Sequence, residues 1–114
     1  MVFRSLKTLE SWLAEYRRLG MPRADSARVM VQDGDGGANT GLVTFHLDHA
    51  STVVVIQPDA QGSGGWVATM EPREDNVVLD SSGLRALSAE LAAVSELCIF
   101  LEAKARSHGG VDSA

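Results

Sequence analysis

The chain has 114 residues, of which 45% are hydrophobic and 22% charged, with a net charge of −5. This length suits one domain, and the composition excludes a wholly disordered or collagen-like chain. A single cysteine excludes an internal disulfide. The first residues lack the pattern of a secretory signal, and no apolar stretch reaches the roughly 18 residues of a membrane span. We therefore expect a soluble cytoplasmic domain over residues 1–106, followed by a disordered tail over 107–114.

The charge is unevenly distributed along the chain. Residues 1–28 carry six basic and three acidic groups, whereas the remainder carries four basic and twelve acidic ones. An acidic body repels phosphate backbones, which disfavours nucleic-acid binding. A nucleic-acid adaptor that uses the arginines of the first segment is the weakest of three functional hypotheses. Those arginines are Arg17, Arg18, Arg23 and Arg28. Eight of the ten basic residues are arginine, a bias that indicates a GC-rich bacterial source.

Two helices and a set of strands follow from the hydrophobic pattern. Apolar side chains at helical spacing predict a first helix from Ser5 to Leu19, ended by Gly20 and Pro22. A period of two then predicts strands, and their short connections favour an antiparallel meander. The predicted strands are 27–32, 42–47, 52–57 and 66–71, with a short fifth strand at 77–79.

The last predicted helix runs from Ser82 to Arg106, long enough to cross the whole sheet. Its apolar residues keep 3-4 spacing over three heptads. They are Leu84, Leu87, Leu91, Val94, Cys98, Leu101 and Ala105. The expected fold is thus α+β: an N-terminal helix, a four- to five-stranded antiparallel sheet, and a long C-terminal helix packed on one face of that sheet.

The last helix carries more apolar surface than one sheet face needs. Its surplus includes Leu97, Ile99, Phe100 and Leu101, which we predict as a candidate interface. Either the N-terminal helix or a second subunit must cover such a surface. Because two-fold homodimers are the commonest oligomers, we favour a homodimer formed through this helix.

Motifs for cofactors and catalysis are weak. The loop Asp33–Gly37 resembles the opening of a calcium loop but lacks its later ligands, and both glycine clusters lead into strands instead of a phosphate-binding helix. His46, Asp48 and His49 form a metal-like cluster, but the chain offers no further ligand nearby to complete a metal site. Cys98 lies within an apolar helix pattern. We therefore predict no cofactor, no metal and no catalytic residue.

Two functional hypotheses remain. The first is a non-catalytic, homodimeric protein-interaction module, an adaptor or chaperone-like protein that binds a protein partner. The second is a small-molecule-binding protein or enzyme with a pocket between the sheet and the helices. Its candidate pocket residues are His46, Asp48, His49 and Trp66.

Overall fold

The computed structural model describes residues 5–31, 41–59, 65–70 and 76–108. In chain order, one helix precedes four strands and a second helix follows them. The elements are α1 (Leu6–Arg18), a 3-10 turn (Ala24–Ser26), β1 (Ala27–Val31), β2 (Gly41–Leu47), β3 (Thr52–Pro58), β4 (Trp66–Met70) and α2 (Ser81–His108).

The predicted α+β architecture is confirmed, with four strands in one antiparallel sheet. The fifth strand is not formed, because residues 76–80 connect β4 to α2 without entering the sheet. Helix α2 continues to His108, two residues past the predicted end of the last helix. The calcium-like loop and residues 109–114 lie outside the described residues. Neither described helix combines the length and apolar character needed to cross a membrane.

Helix α1 has a defined start and end. The Ser5 hydroxyl caps it by accepting a hydrogen bond from the Thr8 N–H at 3.1 Å. It ends where Gly20 adopts a left-handed backbone with φ of 72°, a conformation that glycine allows at little cost. Its buried stripe consists of Leu9, Trp12, Leu13 and Tyr16.

The sheet is a meander in the order β1-β2-β3-β4, with every neighbouring pair antiparallel. Residues directly opposite each other share a face. One face carries the buried residues Val43, Phe45, Val54 and Ile56, and both helices pack on it. Helix α1 lies nearest to β1 and β2, whereas α2 reaches from β2 to β4.

Two carboxylates fix how α2 crosses the sheet. Glu90 contacts the turn between β2 and β3, and Glu102 accepts a hydrogen bond from the Trp66 N–H at the start of β4. The helix between them is about 18 Å long, close to the length of one strand. The first turns of α2, residues 81–89, therefore extend past the end of the sheet.

Candidate interaction surfaces

Among the described residues, the most buried charged group is the carboxylate of Glu90, which is only 2% exposed. It accepts hydrogen bonds from the backbone N–H groups of Asp48 and His49, at 3.1 and 3.2 Å. The Nδ1 atom of His49 lies 3.2 Å from the same carboxylate. Asp48 and His49 lie in a turn, where their backbone N–H groups have no neighbouring strand to bond. Glu90 supplies the acceptors that these two groups need.

The environment of Glu90 sets its protonation. Burial by itself raises the pKa of this carboxyl, but the hydrogen bonds from His49 and from the two backbone N–H groups more than offset it, so the pKa is lowered. Glu90 is therefore ionised at neutral pH. Its first role is structural, because it fastens α2 to the β2–β3 turn.

The predicted pocket residues do not converge on one cavity. His46 Nε2 lies 3.2 Å from Asp48 Oδ1, and both side chains are exposed on the face without helices. His49 pairs with Glu90 at the end of the sheet. Trp66 is buried under α2 at the opposite end of the sheet, opposite Pro58. The structure thus brings the histidines to one end and separates them from Trp66.

The predicted interface residues divide into two groups. Leu97 and Leu101 are fully buried in the core of this chain, and Phe100 packs on Tyr16 of α1 with ring centroids 4.9 Å apart. Ile99 is 54% exposed. Helix α1 therefore covers part of the surplus apolar surface, and of these four side chains only Ile99 remains open to solvent.

The sheet face without helices, which we call the open face, is uncharged over most of its area. Among the described strand residues of this face, Arg28 carries the one permanent charge, and Asp48 adds a carboxylate next to His46 at the end of the face. A concavity of about 480 Å³ lies at its β1–β2 end. The ten residues of the open face are Arg28, Met30, Leu42, Thr44, His46, Val53, Val55, Gln57, Val67 and Thr69.

A second apolar surface lies along β4. Ala68 and Met70 stand opposite the buried Ile56 and Val54, so they belong to the face that the helices cover, yet Met70 is 55% exposed. Helix α2 leaves them open because it crosses the sheet obliquely, from the β2–β3 turn to the start of β4.

One side of α2 continues this surface. Positions seven apart lie on the same side of a helix, and Glu102, one turn beyond Cys98, contacts β4. The side of α2 that faces β4, which we call the α2 flank, therefore consists of Leu84, Leu91, Cys98 and Glu102. Leu84 is 57% exposed and Leu91 is also exposed.

Sequence reasoning missed the two glutamates that position α2. Glu90 sits one turn from Val94 and two from Leu97, in the stripe that faces the sheet. A carboxylate flanked at helical spacing by apolar residues was the available signal, since such a group is buried only with hydrogen-bonding partners.

The comparisons with known proteins place no relative beside this chain: no family model, curated protein or solved structure matches it. Within the described residues, no group of three or more His, Cys, Asp or Glu side chains is arranged to hold a metal ion.

Proposed function

We propose that this chain is a non-catalytic, homodimeric protein-interaction module of the adaptor or chaperone-like kind. The observation that carries the proposal is the open face, where Val53 and Val55 of the central strand β3 have no described helix over them. Contiguous apolar surface of this kind, rimmed by polar side chains, marks protein interaction sites.

The charge on the open face indicates the chemistry of the partner. Arg28 is exposed beside Met30 and Thr44. Asp25 lines the same concavity, and Asp48 is already paired with His46. A partner segment with apolar side chains and one carboxylate complements this face, because the carboxylate pairs with the guanidinium while the apolar groups cover the valines.

Purification from the native host tests partner binding. The tagged chain should retain a stoichiometric protein, and Val55→Glu should release it because a carboxylate then stands in the centre of the open face. Ser88→Glu, on the exposed side of α2, is the matched control and should retain the partner. The pair should then be reconstituted from purified proteins and its mass measured by sedimentation.

Retention of the same protein by Val55→Glu would remove the open face from the proposal. A retained metabolite, with no protein bound, would favour the alternative of a small-molecule-binding protein or enzyme. That alternative has one observation in its support: His49 directs Nδ1 to a buried carboxylate while its ring stays 43% exposed, an arrangement that orients an imidazole as a general base.

A further inference from the structure

The outer edge of β4 offers unpaired backbone groups. Asp59 N–H donates to Gly65 C=O at 2.9 Å, which fixes the alternation of the β3–β4 ladder. Val67 and Thr69 then bond to β3, whereas Trp66, Ala68 and Met70 direct their backbone groups outward. Pro58 has no backbone N–H. It lies opposite Trp66 at a non-hydrogen-bonded position of the β3–β4 ladder, where no donor from β3 is required.

One outward group is already occupied. The Trp66 N–H donates to Glu102 at 2.9 Å, so a carboxylate of α2 covers the first position of the edge. No described residue bonds to the outward N–H and C=O groups of Ala68 and Met70. An exposed strand edge with free groups is a template for pairing with another strand.

We infer that the homodimer forms by antiparallel pairing of β4 with β4 of a second copy, centred on Ala68, so that two sheets become one of eight strands. This inference rests on the proposed function, whose homodimer it locates. The outward residues 66, 68 and 70 are symmetric about Ala68, so a two-fold axis there sets every outward group opposite another one.

The register defines the hydrogen bonds. The Ala68 N–H of each chain donates to the Ala68 C=O of the other, and the Met70 N–H of each donates to the Trp66 C=O of the other. The Trp66 N–H groups stay with Glu102. No side chain of β4 is charged, so pairing opposes no like charges along the strand.

The helices fit the same axis. Ala68 lies about 7 Å along β4 from Trp66. Cys98 lies about 6 Å along α2 from Glu102. Cys98 is therefore nearly level with Ala68, and the two-fold axis brings the two α2 flanks side by side and antiparallel. In one chain, four strands about 4.8 Å apart support two helices about 10 Å apart. In the proposed dimer, eight strands would support four helices at the same spacing.

The surface suits a second copy better than a large partner. The strand edge and the α2 flank supply about a third of the 20–30 residues that each side of a standard interface uses. Such an interface gives a weak dimer, populated at about 100 µM and dissociated on dilution.

A pair of variants on the same strand tests the inference. Met70 and Val67 are both exposed and three residues apart, but only Met70 lies on the helix-covered face beside the α2 flank. In sedimentation experiments at about 100 µM, we expect wild type and Val67→Lys to be dimeric and Met70→Lys to be monomeric. Circular dichroism checks that all three chains are folded.

Amide exchange in the wild-type chain gives an independent measurement. Dilution from about 500 to about 10 µM should dissociate a weak dimer. The Ala68 and Met70 amides should then exchange several-fold faster, while those of Val67 and Thr69, bonded to β3, stay unchanged. Unchanged exchange at Ala68 and Met70 would overturn the inference even if Met70→Lys failed to fold.

The outcomes separate the two proposals. A wild-type dimer that Met70→Lys leaves intact overturns the β4 interface but keeps the homodimer. A wild-type monomer at about 100 µM overturns both the interface and the homodimer, and leaves partner binding at the open face to its own test. Protection of Ala68 and Met70 only when another protein is added assigns the edge to that protein, and contradicts self-pairing.

Discussion

The carboxylate of Glu90 is buried yet ionised because its surroundings replace the water it loses. Two backbone N–H groups and the His49 ring donate to it, so both oxygens are engaged. The same contacts join residues that are about forty positions apart in the chain. A single side chain thus ties the last helix to the central turn of the sheet.

We expect Glu90→Gln to destabilise the fold by about 1–3 kcal/mol at neutral pH, because a neutral amide is a weaker acceptor and its NH₂ group faces N–H donors. The measurement is urea unfolding followed by tryptophan fluorescence. Glu96→Gln, an exposed neighbour on the same helix, should change the free energy of unfolding by less than about 0.5 kcal/mol.

The pH dependence of this effect has a definite sign. The pKa of Glu90 is lower in the folded chain than in the unfolded one, so the folded state binds fewer protons. Its stabilisation is complete above the ordinary carboxyl range near 4.5 and is lost as pH falls through the folded-state pKa. The difference in unfolding free energy between wild type and Glu90→Gln should therefore become smaller as the pH falls. A difference that grows on acidification would contradict a lowered pKa for Glu90.

At the scale of elements, local patterns predicted where the helices and strands lie but not which side of α2 faces the sheet. The predicted seam included Val94 and Leu101, which are buried, but also Leu84 and Leu91, which are exposed. The buried stripe also contains Glu90 and Leu97, which lie outside that seam. Apolar residues occupy several directions around this helix. The choice among them depends on Glu90 and Glu102 meeting backbone groups far away in the chain, which no local periodicity reveals.

The same limit applies to the candidate sites. His46, Asp48 and His49 are neighbours in sequence, so a turn was enough to predict them together. Trp66 was grouped with them on residue type alone, and the meander places it at the other end of the sheet. The open edge of β4 depends on the oblique path of α2, which only the assembled fold defines.

Two substitutions on one turn of α2 test the observed orientation. Leu97→Ala should cost about 2–5 kcal/mol in unfolding free energy, because it removes a fully buried side chain and leaves a cavity. Ile99→Ala should cost less than about 1 kcal/mol, since its side chain is largely exposed. Equal losses measured by thermal or urea unfolding of the monomer would place a different side of α2 against the sheet.

For the whole molecule, net charge opposes self-association while the proposed contact surface carries little charge. Each chain has a net charge of −5, so two chains repel at long range. Added salt screens this repulsion over about 10 Å at 0.1 M and about 3 Å at 1 M. It leaves an apolar contact intact.

We therefore expect the dimer dissociation constant, measured by sedimentation equilibrium, to fall several-fold between about 0.05 and about 0.5 M NaCl. The comparison is made at one fixed pH, so that only the ionic strength changes. Weaker association at high salt would mean that ion pairs hold the two chains together.

The two outer strands of the sheet differ in a way that limits the size of any assembly. At β1, α1 packs alongside and Arg17 donates to the Ala27 C=O at 2.8 Å, so a side chain already lies across that strand. At β4 the outward groups of Ala68 and Met70 have no such cover among the described residues. In the proposed dimer both β4 edges are used, and the outermost strands are the two copies of β1, where Arg17 covers one outward carbonyl. The proposed pairing would therefore favour a closed dimer over a growing fibre.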